Sequence, residues 1–233
     1  MAILMVSHRD LMQGLVSLTI TFAVMGAALF LAAGTLLWPH GLTFLAAFFI
    51  LVLVSVAWLW RVNPEIFAAR RRVTGEGTKS WDLVLISILL AGFLATLIVA
   101  GLDGGRFHWA PAPLWAVIAG YVLMVLGCFG SGWAQAVNRH FEPSVRIQTD
   151  RDHHVVTTGP YAFVRHPGYV SGAVLVAGMA LTLGSLWALL PAAFVAVVLV
   201  IRTNLEDATL QRELPGYAGY AARVRSKWIP GVW

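Results

Sequence analysis

Between Asn138 and Gly168 the chain places four of its seven histidines, His140, His153, His154 and His166, among Arg139, Arg146, Arg151, Arg165 and the acids Glu142, Asp150 and Asp152. Imidazoles in such company can hold a metal, move a proton or help bind an anion. A metal site needs ligands at helical or loop spacings that converge. Here the only adjacent pair is His153-His154, no H-E-x-x-H occurs, and the single cysteine, Cys128, cannot build a thiolate site. No resident metal is expected. Ser144 and Ser171 lack a nucleophile-elbow context, and neither a P-loop nor a dinucleotide glycine fingerprint is present.

The central stretch ends in Arg165-His166-Pro167. Proline fixes φ for the first helical turn and pushes the residue before it off helical geometry, so a helix is expected to start just after His166. Its free amides and positive dipole end, with Arg165 and His166 alongside, predict a seat for a carboxylate or phosphate. Farther on, Arg202 and Glu206 stand four apart, on one helical face, and Asp207 follows. Arg before Glu is the weaker order for an i,i+4 ion pair, which favours a separate task for each. Residue types alone thus describe a pocket for a small anion or zwitterion.

The elements that hold these residues are apolar helices. Of 233 residues 59% are hydrophobic and 12% charged, against about 45–50% and 25% in soluble domains. That balance excludes a water-soluble globule, and 12% aromatics exclude disorder. A hydrocarbon core about 30 Å thick takes roughly 20 helical residues to cross. Six segments fit or nearly fit: Gly14–Leu37, Leu42–Trp60, Leu83–Leu102, Leu114–Val137, Tyr169–Leu183 and Leu186–Arg202. The last two are short and meet at Gly184-Ser185 as a helical hairpin. The fold class expected is all-α, polytopic, with about six transmembrane helices. Residues 1–137 would hold four of them with a basic loop at 61–82, and 138–233 would hold the long polar loop, the helical hairpin and the C-terminal tail, the region where function is expected.

Of sixteen Lys and Arg, only Arg106 falls on the far side of this arrangement. The positive-inside rule then puts both termini and the two long loops in the cytoplasm. The net charge of +5 is therefore read as topology, not as nucleic-acid binding. The short connections opposite hold little that could do chemistry. Arg70-Arg71-Arg72 and the aromatic and basic tail from Tyr217 to Trp233 read as anchors on anionic lipid head groups.

The run Gly159-Pro-Tyr161-Ala-Phe-Val-Arg165-His166-Pro167-Gly-Tyr169 resembles the G-x-Y-x-x-x-R-H-P-x-Y signature of isoprenylcysteine carboxyl methyltransferases and related phospholipid methyltransferases. His153-His-Val-Val upstream and Arg202-x-x-x-Glu206-Asp207 downstream are similar to that pattern too, and the likeness covers roughly 138–233. It implies S-adenosylmethionine as cofactor and a membrane lipid or lipidated small molecule as methyl acceptor. By position, Gln148, His153, His154, Val155, Val156, Tyr161, Arg165, His166, Pro167, Tyr169 and Glu206 would line the cofactor pocket. Arg202 matches an arginine near the reacting group. A carboxylate acceptor, as in a prenylcysteine, is already ionised and needs only orientation by Arg202, whereas an amine needs a base, His166 or His154. Two other readings stand beside it: a nicotinamide-dependent sterol-type membrane reductase, and a non-catalytic lipid-binding protein. Reductases of that type resemble H-P-N-Y-x-G-E, whereas the chain has His166-Pro-Gly-Tyr-Val-Ser-Gly172, without the acid.

Overall fold

The computed structural model describes residues 8–70 and 74–233; Arg71 and Arg72 of the arginine cluster lie outside them. Long apolar runs become helices because hydrocarbon offers no partner to a free backbone amide. In chain order they are α1 (His8–Ala33), α2 (Pro39–Val62), a short α3 (Glu65–Arg70), α4 (Ser80–Ala100), α5 (Leu114–Val137), α6 (Pro167–Thr182), α7 (Leu189–Glu213) and a short α8 (Tyr217–Arg223). Five are long and apolar enough to span a bilayer, and α6 is a shorter apolar helix of sixteen residues. The expected all-α membrane fold is what forms, and no strand occurs among the described residues.

Two boundaries differ from expectation. Helix α4 does not stop near Leu102 but widens into a π-helical turn, Gly101–Phe107, closed by the His108 amide donating to Asp103 O at 2.7 Å. Helix α7 runs beyond Arg202 to Glu213. It ends where Leu214 precedes Pro215 and Gly216 adopts φ +83, so the break is set by backbone chemistry and not by the edge of the apolar layer.

Packing without a hydrophobic drive depends on close contact. Helices α5 and α6 achieve it through Gly120 and Gly178, where an added Cβ would lie 2.6 Å from the Thr182 amide and 2.7 Å from the Met124 amide. Helix α4 lies along α7, with Gly92 against Val195. Met25, Leu29, Phe44, Leu97, Met124, Met179 and Val195 form the shared core. Leu31, Ile50, Val54, Ile118 and Val197 face outward, as lipid-facing side chains do. This arrangement sets the start of α4 beside the second half of α7 and the start of α6, with the 138–166 stretch packed across them.

At the other end, Gly184 at φ +75 turns α6 back toward α7. Asp103 is fully buried there, accepting from the Ala110 amide at 2.8 Å and the Ser185 hydroxyl at 2.5 Å. Ala112 and Leu186 amides complete the tie, donating to Gly184 O and Ala110 O. The connection at 103–113 is thus an ordered staple across the hairpin turn, a role its length and composition did not suggest.

Candidate functional site

Adjacent carboxylates on α7 are used in opposite ways. Asp207, 2% exposed, is enclosed: Arg165 donates to both its oxygens at 2.8 and 3.0 Å, Tyr217 OH at 2.9 Å and Gln211 at 2.9 Å, with His166 Nε2 at 3.3 Å. Glu206, one residue earlier, takes a hydrogen bond from the Tyr169 phenol, and the nearest imidazole nitrogen, His166 Nδ1, is 3.9 Å away. One carboxylate is saturated and the other keeps unused acceptor capacity. Their spacing of one residue, about 100° around a helix, is what aims them differently.

Arg165 also donates to Val224 O at 2.8 Å and Arg225 O at 2.9 Å. Its guanidinium is committed to Asp207 and to tail carbonyls, so it secures the C-terminal segment and has little left for an anion. The anion seat expected at the start of α6 is likewise filled by the chain. Arg165 and His166 amides donate to Ser226 O and Lys227 O, the Tyr169 amide bonds back to His166 O, and the Phe141 ring lies against Gly168. Pro167 starts α6 as its sequence predicts, with His166 at the cap and out of helical geometry at φ −125 and ψ 59. Folding the tail back over this helix end leaves no open amide cradle.

His166 stacks on Tyr169 at 5.7 Å and 3° between planes. Its Nε2 lies against Asp207 and its Nδ1 faces Glu206. Arg202 also lies against the Tyr169 ring, 5.1 Å from its centroid. Arg202 and Glu206 do not pair with each other. Arg202 instead donates through Nε and Nη2 to the two oxygens of Asp82 at 2.7 and 2.9 Å, and through Nη2 to Pro143 O at 2.6 Å. The two residues thus have different partners, Tyr169 for Glu206 and Asp82 for Arg202.

A second polar group sits in the loop. Gln148 donates to His140 O at 2.6 Å, while its Oε1 lies 3.3 Å from His140 Nδ1 and accepts from Arg151 at 3.1 Å. Its side chain thus braces the loop. The Gln148 amide donates to His153 Nδ1, and His154 Nδ1 sits 3.0 Å from Asp152 O and 3.4 Å from His140 Nε2. Burial pushes His140 down to about 4, with the Gln148 hydrogen bond only partly opposing it. His153 falls to about 4 for the same first reason, with His140 and His154 adding to it. Both are neutral imidazoles at pH 7. No group of three or more ligands suited to a metal occurs among the described residues.

Val155 packs with Leu214, Tyr217 and Tyr220, and Val156 is half-buried beside it. Tyr161 is buried, its hydroxyl accepting from Asn138 at 3.1 Å and its carbonyl from Tyr220 OH at 2.7 Å. Burial raises Tyr161 and Tyr217 well above the ordinary phenol range and Tyr220 to about 12. These phenols therefore stay protonated donors. The structure gathers His166, Tyr169, Arg202 and Glu206 into one cluster and His140, Gln148, His153 and His154 into another. Asp82 was not anticipated, although an acid in the first turn of an apolar span was a signal. Tyr217 and Tyr220, read from sequence as part of a lipid-facing anchor, are instead buried with Leu214 because the tail folds back onto the chain.

Residues 115–215 match the model of the phospholipid methyltransferase family. That segment runs from α5 to just past α7 and is similar to this family over that length. A search of curated proteins returned no match to the chain.

Proposed function

We propose that this protein uses S-adenosylmethionine to methylate a lipidic acceptor at the cytoplasmic face of its membrane, and that the acceptor group is a carboxylate of the prenylcysteine type. One observation carries this reading: a carboxylate with spare acceptor capacity, Glu206, and a guanidinium with a spare edge, Arg202, stand one helical turn apart where α7 leaves the apolar layer. The family match supports methyl transfer.

The donor set fits such a cofactor. When bound, S-adenosylmethionine supplies an electrophilic methyl on a positively charged sulfur. Glu206 would hold a hydroxyl or amino group of it, Val155 and Val156 would offer apolar surface to the base, and neutral His153 and His154 would donate or accept without repelling the sulfonium. Tyr161, Tyr169 and His166, with Pro167 starting the helix beneath them, would form the wall. Arg202 would orient the acceptor carboxylate through Nη1, so positioning supplies most of the rate and no general base is required. An amphiphilic acceptor would enter sideways from the bilayer.

A second acceptor class has an observation behind it. With Arg202 neutralised by Asp82 and Asp207 by Arg165, Glu206 is the uncompensated charge, which favours a cation such as the amine of a phospholipid. His166, with Nδ1 toward Glu206, would then take the proton. The domain boundary proposed from sequence shifts in this reading, because Asp82 brings the N-terminal helices into the site. Arg223 and Arg225 at the tail, with exposed Ile229 and Val232, would rest on anionic head groups.

The test is calorimetric titration of the detergent-solubilised protein with S-adenosylhomocysteine and with NADPH in parallel. Labelled methyl transfer to N-acetyl-S-farnesylcysteine and to phosphatidylethanolamine vesicles follows. Binding of S-adenosylhomocysteine alone with label on the first acceptor is expected. NADPH binding alone points to a reductase, label only on the vesicles to the amine acceptor, and no binding by folded protein to a lipid-binding role.

A further inference from the structure

Asp82 lies outside the segment that matches the family, 120 residues before Arg202, and is fully buried. Its two oxygens take one edge of the Arg202 guanidinium, and the Val145 amide donates to Oδ2 at 2.7 Å. Lys79, in the same turn, binds Val145 O through its amide at 3.1 Å. The Pro143-Ser144-Val145 turn is thereby fastened to both partners of the ion pair, since Pro143 O accepts from Arg202. This uses Nε and both hydrogens of Nη2 and leaves Nη1 with no partner among the described residues. Between the two fastened residues, Ser144 is 5% exposed and its hydroxyl also has none.

Stability does not explain such an arrangement. A buried ion pair gains little or nothing over well-packed apolar residues, and buried polar atoms left unpaired are a cost. Both features are accounted for if a ligand completes them. Edge-on capture also does what a lone arginine cannot: it removes the rotational freedom of the guanidinium and aims one chosen nitrogen. Neutralised by Asp82, Arg202 becomes a directional donor instead of a free cation.

We propose that Asp82 is a positioning residue for methyl transfer, holding Arg202 by one edge so that Nη1, with the Ser144 hydroxyl nearby on the same fastened turn, meets the acceptor's reacting group. The inference rests on the function proposed above and extends the site into the N-terminal half of the chain.

The experiment measures S-adenosylhomocysteine affinity by calorimetry and methyl-transfer kinetics, using whichever of N-acetyl-S-farnesylcysteine or phosphatidylethanolamine vesicles the unaltered protein methylates. Asp82→Asn is expected to lower kcat at least tenfold with cofactor-product affinity within twofold. The double variant Asp82→Asn/Arg202→Ala should be no slower than Arg202→Ala. Added guanidinium chloride should restore part of the rate to Arg202→Ala, where Asp82 is present to seat it, and none to the double variant. Unchanged kcat in Asp82→Asn, or equal rescue in both backgrounds, overturns the proposal. If Asp82→Asn no longer binds S-adenosylhomocysteine, Asp82→Glu decides: normal binding with reduced kcat supports positioning, and normal kcat refutes it. An unaltered protein that methylates neither acceptor overturns the functional reading and this inference with it.

Discussion

The two ends of the helix bundle each bury a carboxylate, but they treat it differently. At the hairpin turn, Asp103 is held by the Ala110 amide and the Ser185 hydroxyl, and Ser185 in turn accepts from the Ala188 amide. Every partner is uncharged and belongs to the connections themselves. At the opposite end, Asp82 and Asp207 are each gripped by an arginine, yet Glu206, Arg202 Nη1 and the Ser144 hydroxyl are left with capacity to spare. A closed polar group is there to hold chain segments together. One with unspent donors and acceptors, walled by elements from four parts of the sequence, is where the proposed cofactor and acceptor would be held. That contrast supports the proposed site more than charge density does, because most of the charges near it are spent on structure.

The contrast can be broken most forcefully at Asp207. Asp207→Ala strands Arg165 in a buried setting and should cost about 3–5 kcal/mol, the usual penalty for removing half of a buried pair. Denaturant unfolding in detergent should show it, with S-adenosylhomocysteine binding lost as the tail detaches. Asp103→Ala should cost less, about 2–3 kcal/mol from two donors left unpaired. Cofactor-product affinity and turnover should be unchanged, since that end only ties the hairpin. Altered affinity in that variant would mean the two ends are not independent.

Glu206→Gln sharpens the distinction between neighbours. The protein should unfold at nearly the same denaturant concentration as the unaltered chain, while calorimetry should show affinity for S-adenosylhomocysteine reduced at least tenfold, which is about 1.4 kcal/mol. An equal affinity would remove Glu206 from the cofactor. The smallest effect is expected from acid. His140 and His153 fall from the usual 6.5 to about 4 on folding, so between those values the unfolded loop binds protons that the folded loop refuses. Stability is whole above pH 6.5 and is lost as pH falls toward 4, on the order of 1 kcal/mol at pH 5 after allowing for solvent at the loop. Hydrogen exchange at 138–156 should quicken over that range and hold steady at 101–113.

Much of this protein follows from its sequence for a plain reason. Apolar runs near twenty residues can only be helices in hydrocarbon, Pro167 starts one, Pro215 and Gly216 stop another, and the spacing of Arg202 and Glu206 puts them on one face. The family signature between Gly159 and Tyr169 lies in continuous sequence, so it too could be read directly. Pairing across helices could not. That Arg165 is spent on Asp207 and the tail, that the start of α6 is covered by residues 226–227, and that Asp82 reaches Arg202 all depend on how α4, α6 and α7 pack. Gly92 against Val195 sets α4 on α7, and Gly120 against Gly178 sets α5 on α6. A hydrogen bond spans about 3 Å, and only the folded chain brings residues 120 positions apart within that distance. The sequence determined which groups could do chemistry; the packing decided which of them were left free to do it.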